Sequence, residues 1–174
     1  MARDSFTGLV DKGAVVRLAV LSRDGGLTPV DADSAPTYRV YGPAGVLSGG
    51  TGALGSFFDS GTLTGATNAS PIVVTSVNHK LSSGTRVTIS GVLGNTAANG
   101  TFTVTSTGTD TFSLNGSTGN GAYTSGGAWH VSGLYLLSLD TSAPAYETGV
   151  FYQVLVTYVV SGTTRAVLYS FQVV

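Results

Sequence analysis

The sequence has no cysteine, and charged residues make up only 10% of its 174 positions. Without cysteine there is no disulfide framework, no thiolate nucleophile and no cysteine-based zinc site. Ordinary soluble domains carry roughly 25% charged residues. A chain so far below that presents serine, threonine and glycine instead, a surface that repels neighbouring copies weakly. The formal net charge is −1 with no basic cluster, which removes the electrostatic footprint of a nucleic-acid partner. The longest apolar run, Val154 to Val160, is broken by Thr157 and falls far short of the roughly 18 residues of a spanning helix. No membrane span is expected. Met1 to Phe6 carries no apolar targeting stretch, so signal-peptide export is not expected either. Acid–base chemistry has few candidates: Glu147 is the sole glutamate, and His79 and His130 are the only histidines.

What the chain does have is strand signal. Val150 to Val174 is its densest stretch: two arms rich in β-branched and aromatic residues, divided by Ser161-Gly162, the pattern of a long β-hairpin. Neither face of its alternation is cleanly polar, so both are expected to be covered, by the rest of the domain or by a second subunit. Phe151, Tyr152, Tyr158, Tyr169 and Phe171 are the candidates for such a subunit interface. Ala14–Leu21, Thr37–Tyr41 and Leu134–Leu139 read as further strands, and the glycine-punctuated stretch 45–65 as short strands and tight turns. The N-terminal arm has Phe6, Leu9 and Val10 to anchor it on a partner. Helix is poorly supported: Ala53–Ser60 and Thr141–Thr148 offer at most a turn or two.

Between Ala66 and Ser132 the texture changes, and only Lys80, Arg86 and Asp110 are charged. Candidate strands at 72–77, 85–90, 101–105, 111–114 and 128–131 are separated by Gly, Asn and Ser turns, the spacing of a small barrel or compact sandwich. The expected fold is therefore all-β. An outer sandwich-like domain, 1–65 with 133–174, is interrupted by an inserted small β-barrel at 66–132. A single continuous sandwich is the competing arrangement.

Few motifs carry chemistry. Gly50-Thr51-Gly52-Ala53-Leu54-Gly55 matches G-x-G-x-x-G, but a poor helix follows and no acid lies between Asp59 and Asp110. A dinucleotide site needs both. Asp31-Ala32-Asp33 lacks the Gly and closing Glu of a calcium loop and reads as a turn. His79 and His130 have no G-x-S-x-G elbow to serve, and Asp110 is the only acid in the inserted stretch; His79 reads as the holder of a turn. No catalytic residue, metal ligand or cofactor is expected. Tyr123, Trp129 and Tyr135 form the alternative, an aromatic face for stacking on a glycan.

One resemblance adds context. Thr67-Asn68-Ala69-Ser70-Pro71-Ile72-Val73-Val74-Thr75 and His79-Lys80-Leu81-Ser82-Ser83-Gly84-Thr85-Arg86-Val87-Thr88-Ile89-Ser90-Gly91-Val92 resemble a module of tailed-phage virion proteins. Asn99-Gly100-Thr101-Phe102-Thr103-Val104 and Thr111-Phe112-Ser113-Leu114 continue the likeness. That module is similar to the first catalytic cysteine half-domain of ubiquitin-activating enzymes, a small β-barrel. The family usually has His-Gly-Leu where this chain has His79-Lys80-Leu81, and a chain without cysteine inherits no ubiquitin chemistry. The resemblance implies a non-enzymatic virion component: capsid decoration, head–tail junction or tail protein. It would be assembled in the host cytoplasm and act by docking on sister subunits and other virion proteins as a homo-oligomer. A carbohydrate- or receptor-binding module is the alternative.

Overall fold

The computed structural model describes residues 7–54, 56–57 and 59–174, with backbone alone at 7, 48, 49, 56 and 57. In chain order the strands begin with β1 Thr7–Val10, β2 Val15–Leu21, β3 Thr37–Gly42, β4 Gly45–Ala53 and β5 Ser56–Phe57. Next come β6 Ser60–Thr62, β7 Gly65–Ala66, β8 Ile72–Thr75, β9 Arg86–Leu93, β10 Gly100–Ser106, β11 Thr111–Leu114 and β12 Ser125–Val131. Last are β13 Leu134–Asp140, β14 Phe151–Val160 and β15 Thr163–Val173. The protein is all-β; among the described residues the only helical element is the 3₁₀ turn Thr96–Ala98. Thr141–Thr148 is a run of turns, and Ala53–Ser60 lies partly outside the described residues. The chain divides into two compact units, Met1–Ser56 with Gly133–Val174, and Phe57–Ser132.

The first unit holds a five-stranded sheet, β1-β15-β14-β3-β4, and a three-stranded one, β2-β13-β5. The hairpin forms because Ser161 (φ 51) and Gly162 (φ 72) both adopt the left-handed backbone of a tight two-residue turn. That turn is held from a distance. Asp33 accepts hydrogen bonds from the backbone N–H of Ser161 at 3.0 Å and of Gly162 at 2.8 Å. Asp31 accepts from the N–H of Gly133 at 2.7 Å. Both carboxylates thus serve the backbone, and among the described residues no cluster of three metal-ligating side chains exists.

Alternation sorts the hairpin. Tyr152, Val154, Val156, Tyr158 and Val160 are buried, as are Tyr169, Phe171 and Val173 across the ladder. On β2 and β13 the buried set is Val16, Leu18 and Val20 with Tyr135, Leu137 and Leu139. Each sheet has one buried face, the arrangement of a sandwich. The Tyr169 hydroxyl donates across to the Ala19 carbonyl at 3.2 Å. Tyr152 and Phe171 stack with centroids 5.6 Å apart, and Tyr146 closes edge-on against Tyr152 at 5.0 Å. Burying each such side chain contributes roughly 1.5–3 kcal/mol.

Within the chain itself only one face of the hairpin is covered. Phe151 is 63% exposed and Leu168 43%, while Leu155, Thr157 and Val159 are half-buried. Leucine, valine and phenylalanine suit a pleated strand whether or not anything covers them, so composition alone did not distinguish the two faces.

The second unit is a seven-stranded sheet, β6-β12-β9-β10-β11-β8-β7. Laid flat, its outer strands would stand about 29 Å apart, at ~4.8 Å per strand. Yet β6 ends at Thr62 and β7 starts at Gly65, a span of at most about 11 Å along the chain. The sheet must curl until its two ends meet. The linking residues carry the ladder across the seam: Leu63 donates to Gly127 of β12 at 2.9 Å and Thr64 to Thr75 of β8 at 2.9 Å. Curling needs a sharp bend, and Gly126 (φ 76) and Gly127 (φ 101) of β12 supply it beside Gly91 (φ 79) of β9. Inside lie Ile72, Val74, Val87, Ile89, Val104, Phe112, Leu114 and Trp129, all buried. Because segment 60–66 closes this sheet, the unit begins at Phe57, earlier than the Gly65 junction expected from composition.

Candidate functional site

The second unit has a cleft of about 390 Å³ between β6 and the turn that follows β8. Asp59 to Thr62 and Thr64 line one side, Ser76 to Lys80 the other, and Trp129 lies between them. The turn side is fixed by a dense set of bonds. Ser76 N–H donates to the Asp110 carbonyl at 2.8 Å, and Asn78 N–H to the Asp110 carboxylate at 2.7 Å. His79 is buried and spends both ring nitrogens on backbone. Nδ1 accepts from Leu81 N–H at 2.9 Å, so Nε2 carries the proton, within 3.0 Å of the Gly108 carbonyl and 3.1 Å of that of Thr111. The expected role of His79, holding a turn, is what these bonds describe. Asn78 (φ 51) and Lys80 (φ 55) flank it in left-handed backbone, a conformation of order 1 kcal/mol or more that the surrounding bonds must over-determine. The result is a stiff wall that presents Val77, 72% exposed, together with the exposed Asn78 and Lys80.

Trp129 forms the floor. Its Nε1 donates to Ser76 Oγ at 2.8 Å, and Phe112 meets its ring edge-on at 6.1 Å. Gly61, directly opposite on β6, lies against the indole: a Cβ there would stand 2.8 Å from Nε1. Only glycine lets the strand pass this close.

These positions bear on each residue singled out from the sequence. Of the interface candidates, Tyr152, Tyr158, Tyr169 and Phe171 are at most 7% exposed, packed inside their own unit, and only Phe151 faces outward. They are core residues because alternation turns them to the buried side of β14 and β15. Of the glycan-stacking candidates, Trp129 is 3% exposed and Tyr135 5%, so neither offers a ring face. The Tyr135 oxygen accepts from Ala32 N–H at 3.0 Å, and burial pushes its pKa up, with the Asp31 charge adding to the rise. Tyr123 is half-buried, its hydroxyl donating to the Leu63 and Gly126 carbonyls at 3.3 and 3.0 Å. The three do not form a shared stacking face. In Gly50–Gly55, residues 50–53 belong to strand β4 and Gly55 lies outside the described residues, as does Phe6 of the N-terminal arm. Asp110 is tied to Asn78 rather than to a histidine.

Sequence reasoning missed Ser60, Thr62, Ser76 and Asn78 as neighbours. Asp59-Ser60-Gly61-Thr62 reads as one more turn, and only the closure of the sheet brings it opposite 76–80. No protein-family model matches the chain, and no curated protein matches it at a significant level.

Proposed function

We propose that this chain is a non-enzymatic structural subunit of a phage-like particle that works by docking against further copies of itself. The observation that carries the reading is the outward face of the five-stranded sheet. Leu9 (72% exposed), Phe151 (63%), Val46 (50%) and Leu168 (43%) lie on it, with Leu155 and Tyr41 half-buried between them. Among the described residues Arg39 is its one charged side chain. Thr37, Gln153, Thr157, Thr164, Ser170 and Gln172 share the face with these side chains. Its depletion of charge around exposed apolar and aromatic side chains is what marks an interface core. The size also fits. The five strands run from 4 to 11 residues, and at ~3.3 Å per residue and ~4.8 Å spacing they present roughly 600–650 Å², the lower end of the share each partner contributes to a standard interface. Two copies meeting on this face bring no acid and one charge each, the exposed Arg39 guanidinium. Arg39 sits on β3 next to the outer strand β4, where a two-fold contact can leave both guanidiniums at the solvated rim. A second copy is therefore the occupant that the face itself favours.

The particle context rests on the likeness of 67–114 to tailed-phage modules and on the low charge of the whole chain. Capsid decoration, head–tail junction and tail protein are the settings in which such a subunit would serve, docked also on other virion proteins.

Hydroxyl-radical footprinting across a concentration series tests the docking face. Modification of Phe151 and Leu168 should fall as concentration rises, while that of Val77 in the other unit stays constant. Unchanged modification of Phe151 and Leu168 at every concentration contradicts the proposal.

A further inference from the structure

The cleft between β6 and the 76–80 turn has a free strand edge running along one side. Along β6 the ladder to β12 uses Asp59, whose carbonyl accepts from Val131 N–H, then Gly61 opposite Trp129, then Leu63, which donates to Gly127. Backbone groups of an antiparallel strand alternate sides from residue to residue. The N–H and C=O of Ser60 and Thr62 therefore point away from β12, toward the cleft. Thr64 shows the direction, since its N–H crosses to the Thr75 carbonyl at 2.9 Å. One residue further the pairing ends, because Ser76 turns its N–H to Asp110 instead. The two chains are zipped at 64–66 with 74–75 and forked beyond, and β6 is an outer strand of its sheet.

We propose that this fork is a docking site for a short extended peptide segment of a partner chain, which adds as a strand to the free edge of β6. Two residues with outward N–H and C=O present donors and acceptors at the spacing of a main chain, the basis of recognition by strand addition. The opposite wall cannot collapse into the gap, because the bonds of Ser76, Asn78, His79 and Leu81 hold it in place. The walls are mostly hydroxyl and amide groups, with Val77 and Trp129 the apolar exceptions, so recognition falls chiefly on the peptide backbone and admits small uncharged side chains. Asp59 and Lys80, one charge of each sign, select no net charge in the segment. A saccharide would use the Ser60 and Thr62 hydroxyls but would leave the alternating backbone groups unmatched. This site uses no residue of the outward sheet face, and its test does not depend on self-association.

The experiment is a titration of the ¹⁵N-labelled full chain, read by amide shifts and amide exchange. The probes are a set of blocked pentapeptides of alternating Ser and Val, the same peptides N-methylated at alternate residues, and a panel of methyl glycosides. The expected result is a shift and slowed exchange of the Ser60 and Thr62 amides with the unmodified peptides alone. Thr62→Pro, which removes one outward N–H at an edge position where proline is tolerated, should weaken binding about fivefold or more, the loss of one main-chain hydrogen bond. Thr62→Ser should leave it unchanged. Equal shifts with the N-methylated peptides overturn the proposal, as does silence toward every peptide at millimolar concentration. Shifts at these amides with the glycosides alone replace it with a saccharide site. If Thr62→Pro does not fold, the comparison of methylated with unmodified peptide on the native chain decides alone.

Discussion

Asp33→Ala is the substitution whose cost can be worked most completely. The carboxylate holds the turn of the β14–β15 hairpin through two charge-assisted hydrogen bonds, to Ser161 N–H at 3.0 Å and Gly162 N–H at 2.8 Å. Such bonds contribute roughly 1.5–3 kcal/mol each when shielded. These are exposed, so water replaces part of the interaction and the pair together is worth about 2 kcal/mol. For an outer unit of about 100 residues a urea slope near 1–1.5 kcal/mol/M is expected, which places the midpoint roughly 1.5 M lower. The chain carries its own control. Trp129 is the only tryptophan and belongs to the other unit, so its fluorescence reports the curled sheet while far-UV circular dichroism reports both. Asp33→Ala should shift the dichroism transition of the outer unit and leave the fluorescence transition in place. Asp33→Asn, which keeps an acceptor but loses the charge, should give about half the shift. An unchanged dichroism midpoint would refute the clamp. An equal shift in fluorescence would refute separate melting of the two units.

Three further outcomes follow from single contacts. Ser76→Ala leaves the buried Trp129 Nε1 without its acceptor and should cost about 1–3 kcal/mol, read as a lower fluorescence midpoint; an unchanged midpoint contradicts the bond. Gly127→Ala sets a Cβ 2.8 Å from Val92 Cγ2 on a backbone at φ +101 and should destabilise the curled sheet by about 2 kcal/mol or more, again read by Trp129. Burial pushes the Tyr146 pKa up to about 12 from the ordinary 10.0. Because the folded value is the higher one, the associated stability is complete below the ordinary value and is lost as pH rises through about 12. At most about 3 kcal/mol is involved. Tyr146→Phe should flatten the alkaline loss between those limits in pH-dependent denaturation, and an identical alkaline profile would contradict it.

Local chemistry was legible in the sequence where structure is local. The hairpin could be read because Ser161-Gly162 and two alternating arms sit together, and β2, β3, β11 and β13 could be read for the same reason. β4 was blurred by its glycines, and β6 and β7 were invisible because each is two or three residues whose strand character comes from partners far along the chain. Direction of burial was also hidden. Phe151 and Tyr152 are neighbours of similar character, yet one faces outward and the other is 1% exposed. That difference depends on where the three-stranded sheet lies, which no periodicity reports. The cleft shares this origin: Asp59 to Thr62 and Ser76 to Lys80 meet only through the seam at Thr64 and Thr75. His79 is the counter-example, since its bond to Leu81 N–H spans two residues and its role as a turn holder could be read nearby.

Self-association through the outward sheet face is the central claim, and the mass of the native chain in solution tests it most directly. Light scattering over a concentration series, on the native chain and on Phe151→Lys and Leu168→Lys, is the measurement. The account predicts a native mass that rises to a dimer or larger closed assembly, and lysine variants that remain folded and monomeric. A native chain that stays monomeric at every concentration, or lysine variants that associate as the native chain does, would contradict it.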